Sequence, residues 1–180
     1  MVPEAQLHAT EHGVVPASEG WFVLNARDAR WRYADGRGAY SVFEGDQEFP
    51  QLGIHLVALG PGEPMAQYHW EADQEDFLVL SGEALLIVEG EERPLRQWDF
   101  VHCPAKTNHV IVGAGDGTCL VLAVGARILT RKPDWGGYPV DKTALRHGAG
   151  VEEETTDPKQ AYSGLTRRKP TAYREGWLPD

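Results

Sequence analysis

Short apolar runs, each bounded by glycine, proline or charge, recur through the middle of the chain. They are rich in β-branched and aromatic residues, which is typical of strands. The runs are 21–24, 53–59, 77–80, 84–88, 100–103, 109–112 and 118–124. Turn-forming residues separate many of them, at a strand spacing of roughly 8 to 12 residues, and no useful helical period lies between. The pattern predicts an antiparallel β-sandwich or barrel without choosing between the two.

The C-terminal part of the chain has a different pattern. It carries several prolines and scattered charge, and only 143–147 and 159–162 are expected to form a helical turn. It also holds Trp135, Tyr138, Tyr162, Tyr173 and Trp177, which are too many aromatic residues for a purely solvated tail. We expect an arm that packs on the β domain or on a partner subunit, with a floppy tail as the alternative.

Length and charge limit the classes of protein and partner. The chain has 180 residues, enough for one domain that buries its own core. Its 17 basic and 27 acidic residues give a net charge of −10, which would repel nucleic acid and anionic membranes. No apolar stretch is long enough to span a bilayer, and residues 1–20 do not resemble a signal peptide, so we expect a cytosolic protein. Cys103 and Cys119 lie in apolar runs and are interpreted as reduced core residues.

Residues 60–82 contain the first set of candidate ligands. His69 and Glu71 are two residues apart, so on an extended strand both side chains point to one face. Glu75 opens the next apolar run with the same parity. Farther along, Pro104 ends one predicted strand, and His109 begins the strand that returns. If the two stretches pair in one sheet, an imidazole from each and one or two carboxylates lie together.

These two stretches resemble the paired motifs of the cupin superfamily. The first motif is a glycine, a His-x-His, a glutamate and a closing glycine, and the second is a Pro-x-Gly-x-x-His turn. In this sequence the first motif reads Gly62, His69-Trp70-Glu71, Glu75 and Gly82, and the second reads Pro104-Ala105-Lys106-Thr107-Asn108-His109. The resemblance covers residues 60 to 115, and flanking strands are consistent with it over 40–127.

The resemblance implies an all-β fold, a double-stranded β-helix or jelly-roll barrel. We divide the chain into an N-terminal arm with a strand (1–39), the barrel (40–127) and an extended C-terminal arm (128–180). Three positions depart from the family pattern. Glu71 replaces the second histidine, Trp98 replaces the glycine before the aspartate of the second motif, and Lys106 replaces the turn glycine. Lys106 is therefore expected to adopt a turn conformation that a positive φ favours.

The resemblance implies that His69, Glu75 and His109 are metal ligands, with Glu71 in place of the usual third imidazole. Imidazole and carboxylate donors suit one divalent transition metal, such as Zn, Fe, Mn or Ni. Glu71 is a ligand, or else forms a salt bridge or is exposed. His55 and His102 are interpreted first as satisfied core groups. Glu71 and His102 are the catalytic candidates, His102 as a cavity-lining proton carrier.

Two functions remain open at this point. The first is a metal-dependent enzyme, dioxygenase-like or isomerase-like, that acts on a small organic substrate. The second is a non-enzymatic small-molecule binding or sensory protein with a structural metal. In either case the expected partners are a small-molecule ligand and a second copy in a homodimer. We also expect metal to be released below about pH 5 to 6, as the histidine ligands protonate.

Overall fold

The computed structural model describes residues 1–129 and 134–179. Residues 130–133 and Asp180, which belong to the predicted C-terminal arm, lie outside the described residues. The elements in chain order are β1 Leu7–Thr10, β2 Gly13–Pro16, β3 Arg30–Tyr33, β4 Ala39–Val42, β5 Leu52–Leu59, β6 Trp70–Glu71, β7 Glu75–Ser81, β8 Glu83–Val88, β9 Glu91–Arg96, β10 Phe100–Cys103, β11 His109–Ala114, β12 Cys119–Ala126, β13 Gly136–Gly137, α1 Lys142–Arg146, α2 Pro158–Ala161 and β14 Lys169–Thr171.

Two antiparallel sheets form the body of the fold. The larger sheet has the strand order β10-β7-β12-β5-β4-β3-β14, and the smaller sheet has the order β11-β8-β9. Two short pairs, β1 with β2 and β6 with β13, complete the pairing of the named strands. The regular secondary structure of the described residues is thus almost all β, as predicted.

The main core lies between the two sheets. Val57, Phe77 and Val121 from the larger sheet pack in one cluster with Leu86 and Ile111 from the smaller sheet. Alternation along each strand places these side chains on the inner face. Burial of this apolar layer fixes the strand register, since a one-residue slip would turn the inner side chains outward.

Two positions that replace family glycines adopt left-handed backbone. Lys106 has φ +70°, as predicted, and Trp98 has φ +75°. A non-glycine residue with positive φ is uncommon and costs conformational energy, which the surrounding turn must offset. Gly82 (φ +76°) keeps the family residue, and a Cβ there would lie 2.7 Å from the Thr118 carbonyl oxygen. The tight turn between β7 and β8 therefore requires glycine.

Six of the seven predicted runs are strands, and one is not. Residues 21–24 form only an isolated bridge from Trp21 to Glu4, so the prediction of a strand there was wrong. The acidic run 89–92 is a turn in its first half. Its second half opens β9, an edge strand that tolerates both exposed charge and Pro94.

The chain ends contact the same body of sheet. β14, near the C-terminus, pairs with β3, and Tyr173 and Trp177 pack against the fully buried Trp31. The helices α1 and α2 lie where the two helical turns were predicted. The exact limits of the three predicted segments remain a prediction. No helix among residues 1–129 and 134–179 is long and apolar enough to cross a bilayer.

Candidate metal centre

Backbone pairing brings the two predicted motifs together. His69 and His109 form an antiparallel bridge in which each backbone N–H donates to the other's carbonyl oxygen, at 3.1 and 2.8 Å. Glu75, the first residue of β7, pairs on one side with Cys103 of β10 and on the other with Gly125 of β12. Three segments that are distant in sequence thus direct one imidazole or carboxylate each toward a common point.

The three side chains converge as closely as a metal site requires. One potential ligand atom from each of His69, Glu75 and His109 lies within 4.8 Å of the others. Glu75 Oε2 is 3.2 Å from His109 Nε2 and 3.6 Å from His69 Nε2. Despite this proximity, Glu75 Oε2 and His109 Nε2 are buried without a hydrogen bond of acceptable geometry. Buried polar atoms without partners are costly, so a cation between them fits the arrangement.

The second ring nitrogen of each histidine fixes the tautomer. His69 Nδ1 lies 2.8 Å from the Gln67 carbonyl oxygen, and His109 Nδ1 lies 3.0 Å from the Thr107 carbonyl oxygen. A carbonyl only accepts, so each Nδ1 donates and each Nε2 is left to bind a metal. Metal-binding histidines commonly make this outer contact, which orients the ring. The donor set therefore fits a divalent transition ion, whose identity these residues do not select.

Without a metal, the cluster strongly perturbs its own protonation. Burial by itself lowers the pKa of His69, but the Glu71 and Glu75 carboxylates outweigh it and raise this pKa to about 10. Burial likewise lowers the pKa of His109, whereas contacts with Cys103 and Glu75 raise it to about 9. Burial raises the pKa of Glu75, but the two imidazoles more than offset this and lower it to about 2.

Glu71 lies beside the cluster and is not one of the three converging residues. Its Oε1 is 3.7 Å from His69 Nε2, and about a fifth of its side chain is exposed. Its backbone is held by the β6–β13 pair and by the Lys106 N–H, which donates to the Glu71 carbonyl oxygen. The carboxylate therefore lines the cavity next to the ligands, where it can complete the coordination or move a proton.

The structure corrects the position expected for His102. Its side chain is about half exposed, and its Nδ1 lies 2.6 Å from an oxygen of Asp76. The burial of β10 alternates, with Val101 and Cys103 inward and Phe100 and His102 outward. Period-two alternation thus places His102 on the outer face of the sheet and away from the cavity lining.

An open cavity of about 580 Å³ extends from the cluster, a size suited to a small molecule. Sequence reasoning missed several of its lining residues, because they come from distant segments. Tyr138 stacks on the His69 ring with centroids 5.9 Å apart, and Tyr162 meets Tyr138 edge-on. Arg168 lines the same cavity. Only the surplus of aromatic residues after position 128 gave a sequence signal, and it did not identify which ones line the site.

His55 lines another part of the cavity wall. Its Nδ1 lies 2.8 Å from the Ser41 carbonyl oxygen, and burial lowers its pKa. It is thus a satisfied histidine, as interpreted from the sequence. Glu44 and Arg127, which also line the wall, form a partly buried ion pair.

Comparisons with known proteins agree with this geometry. A family profile described as "Cupin domain" matches residues 55–125, which include all four predicted ligands. No curated protein matches the chain.

Three solved structures illustrate what parts of this chain are similar to. A protein proposed as a sugar phosphate isomerase from Acidithiobacillus ferrooxidans is 34% identical over 43% of this chain and 51% of its own, with a TM-score of 0.42. A predicted oxalate decarboxylase from Thermotoga maritima is 18% identical over 58% of this chain and 98% of its own, with a TM-score of 0.51. The polyketide cyclase RemF from Streptomyces resistomycificus is 13% identical over 63% and 89%, with a TM-score of 0.51.

This chain spans about half the length of the first of these proteins. The likeness to the decarboxylase and the cyclase concerns the fold, and it agrees with the two facing antiparallel sheets and the core between them. The predicted double-stranded β-helix is thereby confirmed. The matched profile and the paired histidine motifs show that residues 55–125 form a cupin domain.

Proposed function

We propose that this cupin is a metal-dependent enzyme that acts on a small organic substrate with oxygen donor atoms. One observation carries the proposal: the His69, Glu75 and His109 donor atoms converge at the wall of an open cavity of about 580 Å³. Three protein ligands leave coordination positions for a substrate or water, which is typical of catalytic rather than structural metal sites. A divalent ion held there, Zn, Fe, Mn or Ni, would supply Lewis-acid or redox chemistry.

The chain's own residues provide the rest of the active site. Gln67 and Thr107 carbonyl oxygens orient the imidazoles, and Tyr138 covers one face of His69. Glu71 is the group best placed to accept or donate a proton to a bound substrate, because its carboxylate borders both the cluster and the cavity. A proton carried by Glu71 would serve an isomerase-like reaction. The set of two histidines and one carboxylate would serve a dioxygenase-like reaction.

The protein loaded with cobalt(II) tests whether the metal is accessible. Adding a small oxygen donor such as acetohydroxamate should change the visible absorption spectrum, because the added ligand enters an open position. In a panel of small hydroxy and keto acids and sugars, Glu71→Gln should keep its metal and lose about 100-fold in kcat for any substrate that turns over. A spectrum that does not respond, together with unchanged turnover in Glu71→Gln, would contradict the proposal.

A non-enzymatic role is the alternative, and Glu71 is the observation that favours it. Its oxygen lies 3.7 Å from His69 Nε2, close enough to join the ligands after a small rotation and close a four-ligand site. In that case chelation would chiefly lower the melting temperature, because metal binding stabilises the folded state. A small molecule that stays bound through purification would also favour this role. The cytosolic location and the exclusion of nucleic acid and membranes remain predictions from the sequence.

We also propose that the chain forms a homodimer through the outer face of the larger sheet. An apolar row crosses four neighbouring strands there, since Phe100 pairs with Leu78, Leu78 with Leu122, and Leu122 with Leu56. The row begins at the edge strand β10, where Phe100 is 65% exposed. The three leucines behind it are partly buried. An apolar row that ends in an exposed aromatic residue at the edge of a sheet is typical of an association surface.

Size-exclusion chromatography with light scattering measures this association. The wild-type chain should elute as a dimer at micromolar concentration, and Phe100→Glu should shift it toward the monomer. Val23→Glu is the control, because Val23 is also an exposed apolar residue but lies outside the row. A wild-type particle of 19.9 kDa, the mass of one chain, would contradict the dimer.

A further inference from the structure

Arg168 lines the cavity and has no anionic partner among the residues that the structure describes. Its side chain is partly buried, and this burial lowers its pKa to about 10. Within residues 1–129 and 134–179, no carboxylate oxygen lies within the 4.0 Å of an ion pair with Arg168. By contrast, Arg127 in the same wall is paired with Glu44. Arg168 therefore brings a positive charge into the cavity without an ion pair to a described carboxylate.

Neutral carbonyl groups hold the Arg168 guanidinium in place. Nε donates to the Arg37 carbonyl oxygen at 2.9 Å, and Nη2 donates to the Met65 carbonyl oxygen at 3.0 Å, with further contacts from Nη2 to the Arg37 and Pro64 carbonyl oxygens. The guanidinium also lies over the Tyr40 ring, 5.5 Å from its centroid. These contacts use Nε and Nη2 and leave Nη1 without an acceptor among the described residues. The orientation is fixed before any ligand arrives.

Other groups around Arg168 add positive potential. Arg32 also lines the cavity, and it has no carboxylate partner among the described residues either. After burial, repulsion from Arg37 is the next cause that lowers the pKa of Arg168, and attraction to Glu63 is the smallest cause that raises it. Glu63 itself accepts a hydrogen bond from the Gly60 backbone N–H. Three carboxylates of the same cavity are engaged elsewhere, since Glu44 pairs with Arg127 and both Glu71 and Glu75 lie beside the ligand histidines. An anionic group on a ligand would therefore supply the ion pair that Arg168 lacks among the described residues.

We infer that Arg168 binds the anionic group of the ligand, so that the substrate is a compact organic oxyanion, a carboxylate or a phosphate ester. The ligand would present its anionic group to Nη1 of Arg168 and another oxygen to the cluster of His69, Glu75 and His109. Both ends lie along one cavity of about 580 Å³. A guanidinium suits either anion, because its planar N–H groups match the oxygens of carboxylates and phosphates. This inference rests on the proposed function, since it names the substrate class for the same cavity.

Arg168 also gives the C-terminal segment a role. Arg168 and Tyr162 come from the last 20 residues of the chain, and Tyr138 comes from the segment just before α1. These residues line one side of the cavity, and residues of β5, β7 and β11 line the other side. The segment therefore supplies ligand contacts as well as packing.

Anion binding by the full, metal-loaded chain tests the inference. Isothermal titration with inorganic phosphate and with acetate should detect at least one of them, and Arg168→Gln should weaken that binding by about tenfold or more. Arg168→Lys keeps the charge and should retain part of the affinity. Arg167→Gln is the matched control, because Arg167 is the exposed neighbour and should bind as the wild type does. Tighter phosphate binding would assign a phosphate ester, and tighter acetate binding would assign a carboxylate.

Two failures are distinguishable in this experiment. If Arg168→Gln binds both anions as the wild type does, or if neither anion binds the wild type, the inference is wrong whatever the metal content. If anion binding depends on Arg168 but the protein holds no metal, the proposed function fails and the anion subsite stands. Thermal unfolding of each variant checks that its fold is intact, and Arg168→Lys keeps the test valid if Arg168→Gln does not fold.

Discussion

Replacing Glu75 by glutamine should leave the folded protein without its metal ion. The substitution keeps the size of the side chain but removes the anionic donor that faces both imidazoles, at 3.2 and 3.6 Å. We expect the metal affinity to fall by more than about 100-fold, because the loss of an outer contact to a ligand alone costs about 10- to 100-fold. Elemental analysis of protein purified without a nickel column should give about one ion per wild-type chain and almost none per Glu75→Gln chain.

Asp76→Asn provides the matched control for this variant. It makes the same chemical change one residue later, where the carboxylate points outward and contacts the exposed His102. Its metal content should equal that of the wild type. Any enzymatic turnover should disappear in Glu75→Gln and persist in Asp76→Asn. A Glu75→Gln protein that retains one tightly bound ion per chain would show that Glu75 is not a ligand.

Binding of a divalent ion near pH 7.5 should release about two protons. In the metal-free protein the pKa of His69 is about 10 and that of His109 is about 9, so both imidazoles are protonated at this pH. The pKa of Glu75 is about 2, so its carboxylate is already ionised and contributes no proton. Each Nε2 must lose its proton to bind the metal. Calorimetric titrations in buffers of different ionisation enthalpy measure the number released.

The sign of the pH dependence follows from the same values. The raised pKa values of the two histidines stabilise the metal-free fold below about pH 6.5, and this contribution is lost as the pH rises through about 9 to 10. The lowered pKa of Glu75 contributes stability above its ordinary pKa, and that contribution is lost as the pH falls through about 2. Metal affinity should therefore rise with pH through neutrality. Protons should therefore compete with the metal for the two imidazoles at a higher pH than the value of about 5 to 6 that ordinary imidazoles would give. Metal binding without proton release would contradict the raised pKa values of His69 and His109.

Local pattern was sufficient to predict the strands that carry the ligands. The runs 77–80 and 109–112 are apolar and bounded by clear turns, and both are strands of the barrel. The shared parity of His69 and Glu71 predicted two side chains near each other, and they are 3.7 Å apart. The meeting of His69 with His109 depended on the family resemblance, because no local pattern determines which strands pair over 40 residues.

Other features could not be predicted, for identifiable physical reasons. In β3 arginine alternates with an aromatic residue, and β9 is mostly charged. Both form strands because they pair with a neighbouring strand, and their composition is not apolar enough to predict it. His102 was expected in the cavity because its strand is apolar, but the parity that decides its direction depends on which residues face the core. Arg168 lies in a basic run that looks solvated in sequence. Only the fold of the C-terminal segment reveals that its side chain enters the cavity.

Anomalous diffraction from a crystal of the metal-loaded protein, recorded at the absorption edge of its metal, tests the central claim most directly. We predict one strong peak per chain, about 2.0 to 2.2 Å from His69 Nε2, His109 Nε2 and a Glu75 oxygen. A peak at another position, or no peak between these three side chains in protein that contains stoichiometric metal, would contradict the assignment of the metal centre.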